Sequence, residues 1–205
     1  MIQRQEGLVS SILSQKLKFP QMKGSGDVAV SDIECNGFVY NLTQFHCGVI
    51  LEPFTLKKYR YGPENFQEYV DHLSSYGVWV NHNVRGFDKL ALEKLCGFSP
   101  PSQYQFDTLV LSRLVNPEKK NGHSLDAWGH DLGYPKGDFG KLHGFNTYQP
   151  AMLDYCDDDT MLDSLVFLFQ IIKLGWCDLF GITEDQAKGL YKQIKQKKVE
   201  VIVDA

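Results

Sequence analysis

Val28-Ala29-Val30-Ser31-Asp32-Ile33-Glu34 is the stretch on which the fold turns. It is β-branched and alternating, which reads as a strand, yet it closes on two acids. Residues i and i+2 of a strand face the same side, so Asp32 and Glu34 project together from a half-buried element. Two like charges held this way cost stability and raise one of the pKa values unless a cation compensates. A bound divalent ion would remove the cost. The competing reading is a strand that stops at Ser31 and leaves both acids in water. Outward from this stretch, Phe45–Leu51 and Lys57–Tyr61 read as further strands. Pro63 opens a helix to Ser75, with Phe66, Tyr69, Val70 and Leu73 at helical spacing. Val78–Asn81 is a short strand of buried type. Helices are predicted over Lys89–Leu95, stopped by Gly97 and Pro100-Pro101, over Thr108–Val115, and over Ser124–Leu132 with Gly133 as its C-cap. Residues 134–150, rich in glycine and proline, read as a loop of functional length. A long helix is expected over Ala151–Leu174, and Thr183-Glu184-Asp185-Gln186 caps a last one. Early strands followed by alternating helices give an α/β or mixed class.

The length of 205 residues fits one domain with short tails, and 43% apolar with 13% aromatic residues suffices for a core. Disordered and fibrous classes are thereby excluded. No apolar run reaches the roughly 18 residues of a spanning helix, and Met1–Glu6 has no signal-peptide core. The cysteines Cys35, Cys47, Cys96, Cys156 and Cys177 are odd in number and form no C-x-x-C pair. They argue against a disulfide framework or a cysteine zinc site and suit a reducing cytoplasm.

Charge divides the chain into an N-terminal extension, 1–26, a body, 27–182, and a basic C-terminal helix and tail, 183–205. In the extension Leu8–Leu13 reads as a short helix, followed by a joint at Pro20 and Gly24-Ser25-Gly26. Residues 1–26 carry a net +3, and residues 186–205, with Lys188, Lys192, Lys195, Lys197 and Lys198, another +3. The total of −4 leaves −10 for residues 27–185. An acidic body with basic ends does not suit duplex DNA held by bulk electrostatics. It suits carboxylates gathered around cations, or simply a solvated acidic surface. The tail lysines could follow a phosphate backbone or line an ordinary surface helix.

Two further acidic positions join the first pair. Asp88 follows the strand Val78–Asn81 by a short turn, and ligand sites in α/β sheets gather at the carboxyl ends of neighbouring strands. It also reads as an N-cap for a helix from Lys89. Tyr155 and Asp159 lie four apart on the long helix and share a face. The run Asp157-Asp158-Asp159 is unusual inside a helix, and no Lys or Arg lies between Lys141 and Lys173 to balance it. Alone it reads as a solvated face; with the other acids it reads as part of a metal site. Four carboxylates, all oxygen donors, suit Mg²⁺ or Mn²⁺ rather than zinc. Two such ions about 3.5–4 Å apart would clamp the attacking and leaving oxygens of a phosphodiester.

Ser31-Asp32-Ile33-Glu34, Asn83-Val84-Arg85-Gly86-Phe87-Asp88 and Tyr155-Cys156-Asp157-Asp158-Asp159 resemble, in order, the three motifs of the DEDD exonucleases. The tyrosine four before the last Asp marks the DEDDy branch; the histidine of the other branch would stand where Asp154 is. Phe45–Ile50, Asp107–Leu114 and Leu125–His130 extend the resemblance to the proofreading domain of phage family-A DNA polymerases, over roughly residues 27–180.

The resemblance implies a ribonuclease H-like α/β fold, a mixed central sheet flanked by helices. It implies 3′→5′ hydrolysis of DNA, expected to be single-stranded, with release of 5′-mononucleotides. Two Mg²⁺ or Mn²⁺ ions would be held by Asp32, Glu34, Asp88 and Asp159. Asp32, Glu34 and Asp159 would take the nucleophile-side ion, and Asp32 and Asp88 the leaving-group ion. Tyr155 with Glu34 would orient the attacking water. Phe38 stands where the family places an apolar wedge, and Asn83 and Phe87 where it contacts the 3′ end. For Phe38 and Phe87 plain packing is an equal reading, and Asn83 could satisfy turn backbone. His46 and His123 receive no role, and Trp79 and Trp128 read as core.

Nothing in the chain resembles a polymerising site. The expectation is a free-standing monomeric exonuclease acting on 3′ ends of single-stranded DNA, with a separate DNA polymerase as a partner and, if phage-encoded, the host cytoplasm as its place. A domain cut from a polymerase is the other explanation, and the basic ends favour the first. Two rival functions stand beside this one: an exoribonuclease of the ribonuclease D type, and a non-catalytic module that holds nucleic-acid ends.

Overall fold

Among the described residues six strands form one sheet in the order β5-β4-β1-β2-β3-β6. They are β1 (Val28–Cys35), β2 (Phe45–Glu52), β3 (Lys57–Tyr61), β4 (Val78–Asn81), β5 (Tyr104–Asp107) and β6 (Glu200–Asp204). The computed structural model describes residues 25–98, 104–197 and 199–204. The expected helix at Leu8–Leu13, Pro100-Pro101 and Lys198 lie outside the described residues. β1 pairs antiparallel with β2 and parallel with β4, β2 is antiparallel to β3, and β4 is parallel to β5. The sheet is therefore mixed, as expected.

Among the described residues seven α-helices surround it: α1 (Phe66–Ser74), α2 (Asp88–Cys96), α3 (Thr108–Val115), α4 (Leu125–Leu132), α5 (Phe139–His143), α6 (Pro150–Leu174) and α7 (Glu184–Lys195). Their ends follow local chemistry. Ser124 accepts from the Ala127 N–H at the start of α4, and Gly133, at φ +62, closes it in the left-handed region. Pro150 opens α6 and Gly175, at φ +66, ends it. Thr183 and Gln186 form a reciprocal capping box on α7.

Alternation along the central strands divides the core between the two faces. Val28 and Val30 of β1 with Val78 and Val80 of β4 meet α4, α6 and α7, while Ala29, Ile33 and Trp79 meet α1 and α2. Helix α6 carries buried residues around its whole circumference in its second half, so it is a core helix rather than an amphipathic cover. No described helix is long and apolar enough to cross a membrane.

Three elements differ from the sequence reading. β5 is a partly buried edge strand, Tyr-Gln-Phe-Asp, without an apolar run to announce it. α5 lies inside the stretch read wholly as loop. The end of the chain is not a continuing basic tail: after α7 it turns at Lys197, φ +55, and β6 adds parallel to β3. Val201-Ile202-Val203 has strand propensity, but the neighbouring lysines dominate the composition there.

Gly48 lies in the fully buried β2, opposite Ile33 on one side and Tyr61 on the other. A Cβ at Gly48 would stand 2.7 Å from the ring of Tyr69, itself fully buried on α1. Gly48→Ala is expected to destabilise the protein by about 1–3 kcal/mol through overpacking. Urea unfolding reads this as a lower midpoint; an unchanged midpoint refutes the packing account.

Candidate active site

β1 continues through Asp32 and Glu34 to Cys35, which overturns the reading of a strand ending at Ser31. Asp32 pairs across from Val49 and Glu34 from Cys47. Both acids share the face of Val28 and Val30, the face that α6 crosses. α6 presents Tyr155 and Asp159 one turn apart, and the Cys156 thiol donates to the Asp32 carbonyl, Sγ to O 3.4 Å. Carboxylate oxygens of Asp32, Glu34 and Asp159 lie within 4.8 Å of one another. Asp88 joins them from the first turn of α2. It is not the N-cap of a helix from Lys89: α2 begins at Asp88 itself, and no side chain caps it. The Asp88 carboxylate is buried and accepts from the Asn81 side chain and the Ile33 N–H, while its Oδ1 has no partner.

Burial pushes the Asp32 carboxyl well above its usual range, and the charges of Asp88, Glu34 and Asp159 push it further. Glu34 is raised for the same reasons, burial first and Asp159 next. Asp88 is pushed up to about 7, chiefly by burial. Asp159 is pushed up to about 6 by burial, with Lys136 opposing. Four acids that each resist ionisation form a site short of positive charge. Their all-oxygen donor set suits a hard divalent cation, and Oδ1 of both Asp88 and Asp159 is buried without a partner. These residues fit a divalent metal.

Each acid of the run Asp157-Asp158-Asp159 has its own lysine, drawn from outside the stretch between Lys141 and Lys173. Lys58 Nζ lies 2.7 Å from Asp157, Lys197 Nζ 2.7 Å from Asp158, and Lys136 Nζ 2.6 Å from Asp159. Successive helical side chains turn about 100°, so the three point toward β3, the C-terminal segment and the cleft. Lys136 escaped the sequence reading because a lysine in a glycine- and proline-rich loop carries no periodic signal.

One cleft of about 470 Å³ is lined by Asp32, Glu34, Asn83, Phe87, Asp88, Tyr155 and Asp159, together with Lys136, His82, Arg113 and Asp163. The structure thus gathers seven of the eight expected site residues. Phe38 does not line this cleft. It is exposed between β1 and β2, its ring stacked on Tyr40 at 5.9 Å, and Lys94 holds that segment by the carbonyls of Val39 and Tyr40. Asn83 adopts φ +76, a left-handed conformation that Asn tolerates, and its carbonyl accepts from the N–H groups of Gly86 and Phe87. Its side chain fills the place that a Cβ on Gly86 would need.

Asp163, one turn beyond Asp159, accepts from Thr108 Oγ1 at 2.6 Å and is pushed up to about 8 by burial. It was not singled out from the sequence, where it looks like any acid on a helix. The tail lysines are largely engaged within the chain: Lys188 with Glu184, Lys195 with the Leu132 carbonyl at the end of α4, and Lys197 with Asp158.

A raised carboxylate pKa gives stability that is complete below the unfolded value and lost as pH rises through the folded one. For Asp88 that window runs from the ordinary aspartate value of 3.8 to about 7. Chelator-treated protein is therefore expected to lose thermal stability between about pH 4 and pH 7. Asp88→Asn should show a smaller loss, and added Mg²⁺ at the upper pH should restore the wild type. Equal losses in the two proteins refute the assignment.

No family model matches the chain. The DNA-directed DNA polymerase of Escherichia phage T7 is 37% identical over an alignment of 137 residues, which covers 54% of this chain and 20% of the polymerase. The corresponding polymerase of Enterobacteria phage T3 is 36% identical over the same length and coverage. The chain thus spans about a fifth of the length of these relatives. Among solved structures, Brucella melitensis NrnC with bound Mg²⁺ superposes with a TM-score of 0.53 at 18% identity, covering 90% of this chain and 89% of that one. The catalytic core of RRP6 from Trypanosoma brucei gives 0.53 at 16% identity, over 98% of this chain and 51% of that one. At such identities the likeness establishes the fold, the ribonuclease H-like one expected. The chain is thus similar in sequence to a segment of the phage T7 and T3 DNA polymerases and similar in fold to NrnC and the RRP6 core.

Proposed function

We propose that the protein is a metal-dependent 3′→5′ exonuclease that trims single-stranded DNA from its 3′ end and releases 5′-mononucleotides. The observation that carries this reading is the convergence of Asp32, Glu34 and Asp159 within 4.8 Å, with Asp88 and Tyr155 in the same cleft. Its preference for DNA rests on the sequence relationship to two DNA polymerases.

Asp32, Glu34, Asp88 and Asp159 would hold two Mg²⁺ or Mn²⁺ ions, which when bound supply Lewis-acid stabilisation of charge on the reacting oxygens. The residues of the chain do the positioning. Glu34 accepts a hydrogen bond from the attacking water and Tyr155 orients it. Burial raises the Tyr155 phenol above its usual range, so it serves as a hydrogen-bond partner and not as a phenolate base. The water oxygen forms a bond to phosphorus, and the bond from phosphorus to the 3′ oxygen of the preceding nucleotide breaks. The water's proton leaves to solvent, and the 3′ oxygen takes one up as a hydroxyl. Asn83 and Phe87 border the cleft where the terminal nucleotide would lie. Phe38 and Tyr40 offer exposed rings on which bases could stack, a contact indifferent to sequence. The protein would act as a monomer beside a separate polymerase.

A 5′-labelled single-stranded DNA incubated with the protein and Mg²⁺ should shorten stepwise from its 3′ end, and EDTA should abolish the ladder. Asp32→Ala should lose nearly all turnover while still binding the strand. A matching RNA lane tests the sugar: faster shortening of RNA would overturn the DNA reading and favour an exoribonuclease. Cleavage of neither polymer would leave a binding module.

A further inference from the structure

Lys136 enters the cleft from the segment between α4 and α5, where none of the three motifs reaches. Its ammonium lies 2.6 Å from Asp159 Oδ2 and 4.8 Å from the centre of the Tyr155 ring. It also hydrogen-bonds the Tyr155 hydroxyl, and that hydroxyl is hydrogen-bonded to Asp159. The contacts distinguish the two oxygens of Asp159. Oδ2 is taken by the ammonium, while Oδ1 is buried with no partner and remains open to a ligand. Burial alone would lower the Lys136 pKa, yet Asp159 and Tyr155 outweigh it and keep the group charged.

The segment that carries Lys136 is itself fastened. Two residues upstream, the Tyr134 hydroxyl donates to Asp158 Oδ1 at 3.2 Å, and Lys197 Nζ reaches the same oxygen at 2.7 Å. The Tyr134 N–H donates to the Gly129 carbonyl at 2.8 Å. Gly129 lacks the Cβ that would stand 2.7 Å from the Tyr134 carbonyl, so the chain can pass close to α4. With its side chain only 21% exposed, Lys136 is a seated group and not a surface cation reaching inward.

We propose that Lys136 is a positioning residue of the exonuclease: it holds Tyr155 in place beside the attacking water and turns Asp159 so that Oδ1 is the oxygen left for metal. This rests on the nuclease reading above. Both of its contacts go to residues one helical turn apart on α6, which is what an orienting role requires. A lysine that served only to attract phosphate would point its ammonium to the open cleft.

The test compares wild type, Lys136→Met and Lys136→Arg, each also in a Tyr155→Phe background. It uses steady-state trimming of single-stranded DNA and calorimetric titration with Mn²⁺ alone. Lys136→Met should lower kcat about 10²-fold, the scale of a 1 Å misplacement, with KM little changed. Its Mn²⁺ affinity should be kept or increased, because a positive charge next to the ligands is gone. Lys136→Arg should regain part of kcat. Because Lys136 acts through Tyr155, its loss should cost far less in the Tyr155→Phe background.

A fall confined to KM, fully multiplicative losses, or loss of Mn²⁺ binding in Lys136→Met overturns the proposal, as does an unchanged kcat. All of these leave the nuclease reading standing if wild type is active. A wild-type protein that cleaves nothing overturns both.

Discussion

Three consecutive acids on a core helix impose the constraint to which much of the molecule answers. Asp157 and Asp159 are buried on α6. An unpaired buried carboxylate is costly, and breaking a buried pair by removing one partner typically costs about 3–5 kcal/mol. Each acid is met by a cation from a different part of the chain. Lys58 anchors α6 to β3 through Asp157, with Arg60 close by. Lys197 brings the C-terminal segment onto Asp158, and Lys136 brings the segment after α4 onto Asp159. These pairs fix the rotation of α6 about its own axis, and that rotation aims Tyr155 and Asp159 at β1.

The site follows from two regular elements meeting. Alternation along β1 sends Asp32 and Glu34 to the α6 face, and the helical repeat sets Tyr155 above Asp159. Asp88 comes from a third direction, at the start of α2. Strand and helix scaffolds hold such groups more rigidly than loops do, which suits a site of closely spaced like charges. Its electrostatic shortfall is a stored preference for a cation, expressed as four carboxyls raised above their usual range.

The C-terminal segment changes meaning once folded. Its lysines read as able to follow a phosphate backbone or as an ordinary surface helix, but Lys195 caps the end of α4 and Lys197 serves Asp158 and lies over the Tyr134 ring. Val201–Val203 then extends the sheet beside β3. Within this segment Lys188 pairs with Glu184 of its own helix, and Lys197 pairs with Asp158 of the body. The charge contrast between the body and this segment is therefore met in part by internal pairing.

By itself the sequence determined the four central strands, the main helices with their caps, and the order of the acids on them. Those features rest on local periodicity and short-range hydrogen bonding, at Gly133 and Thr183 for example. The continuation of β1 through Glu34 was one of two local readings, and the structure decides for it because helix α6 covers the face that bears the two acids. The edge strands β5 and β6 are too short to carry a pattern of their own and exist because a neighbour offers a free edge. The lysine partners of Asp157, Asp158 and Asp159, above all Lys136, lie 99, 39 and 23 residues away along the chain. No spacing rule reaches that far, so only the tertiary structure could decide which charges meet.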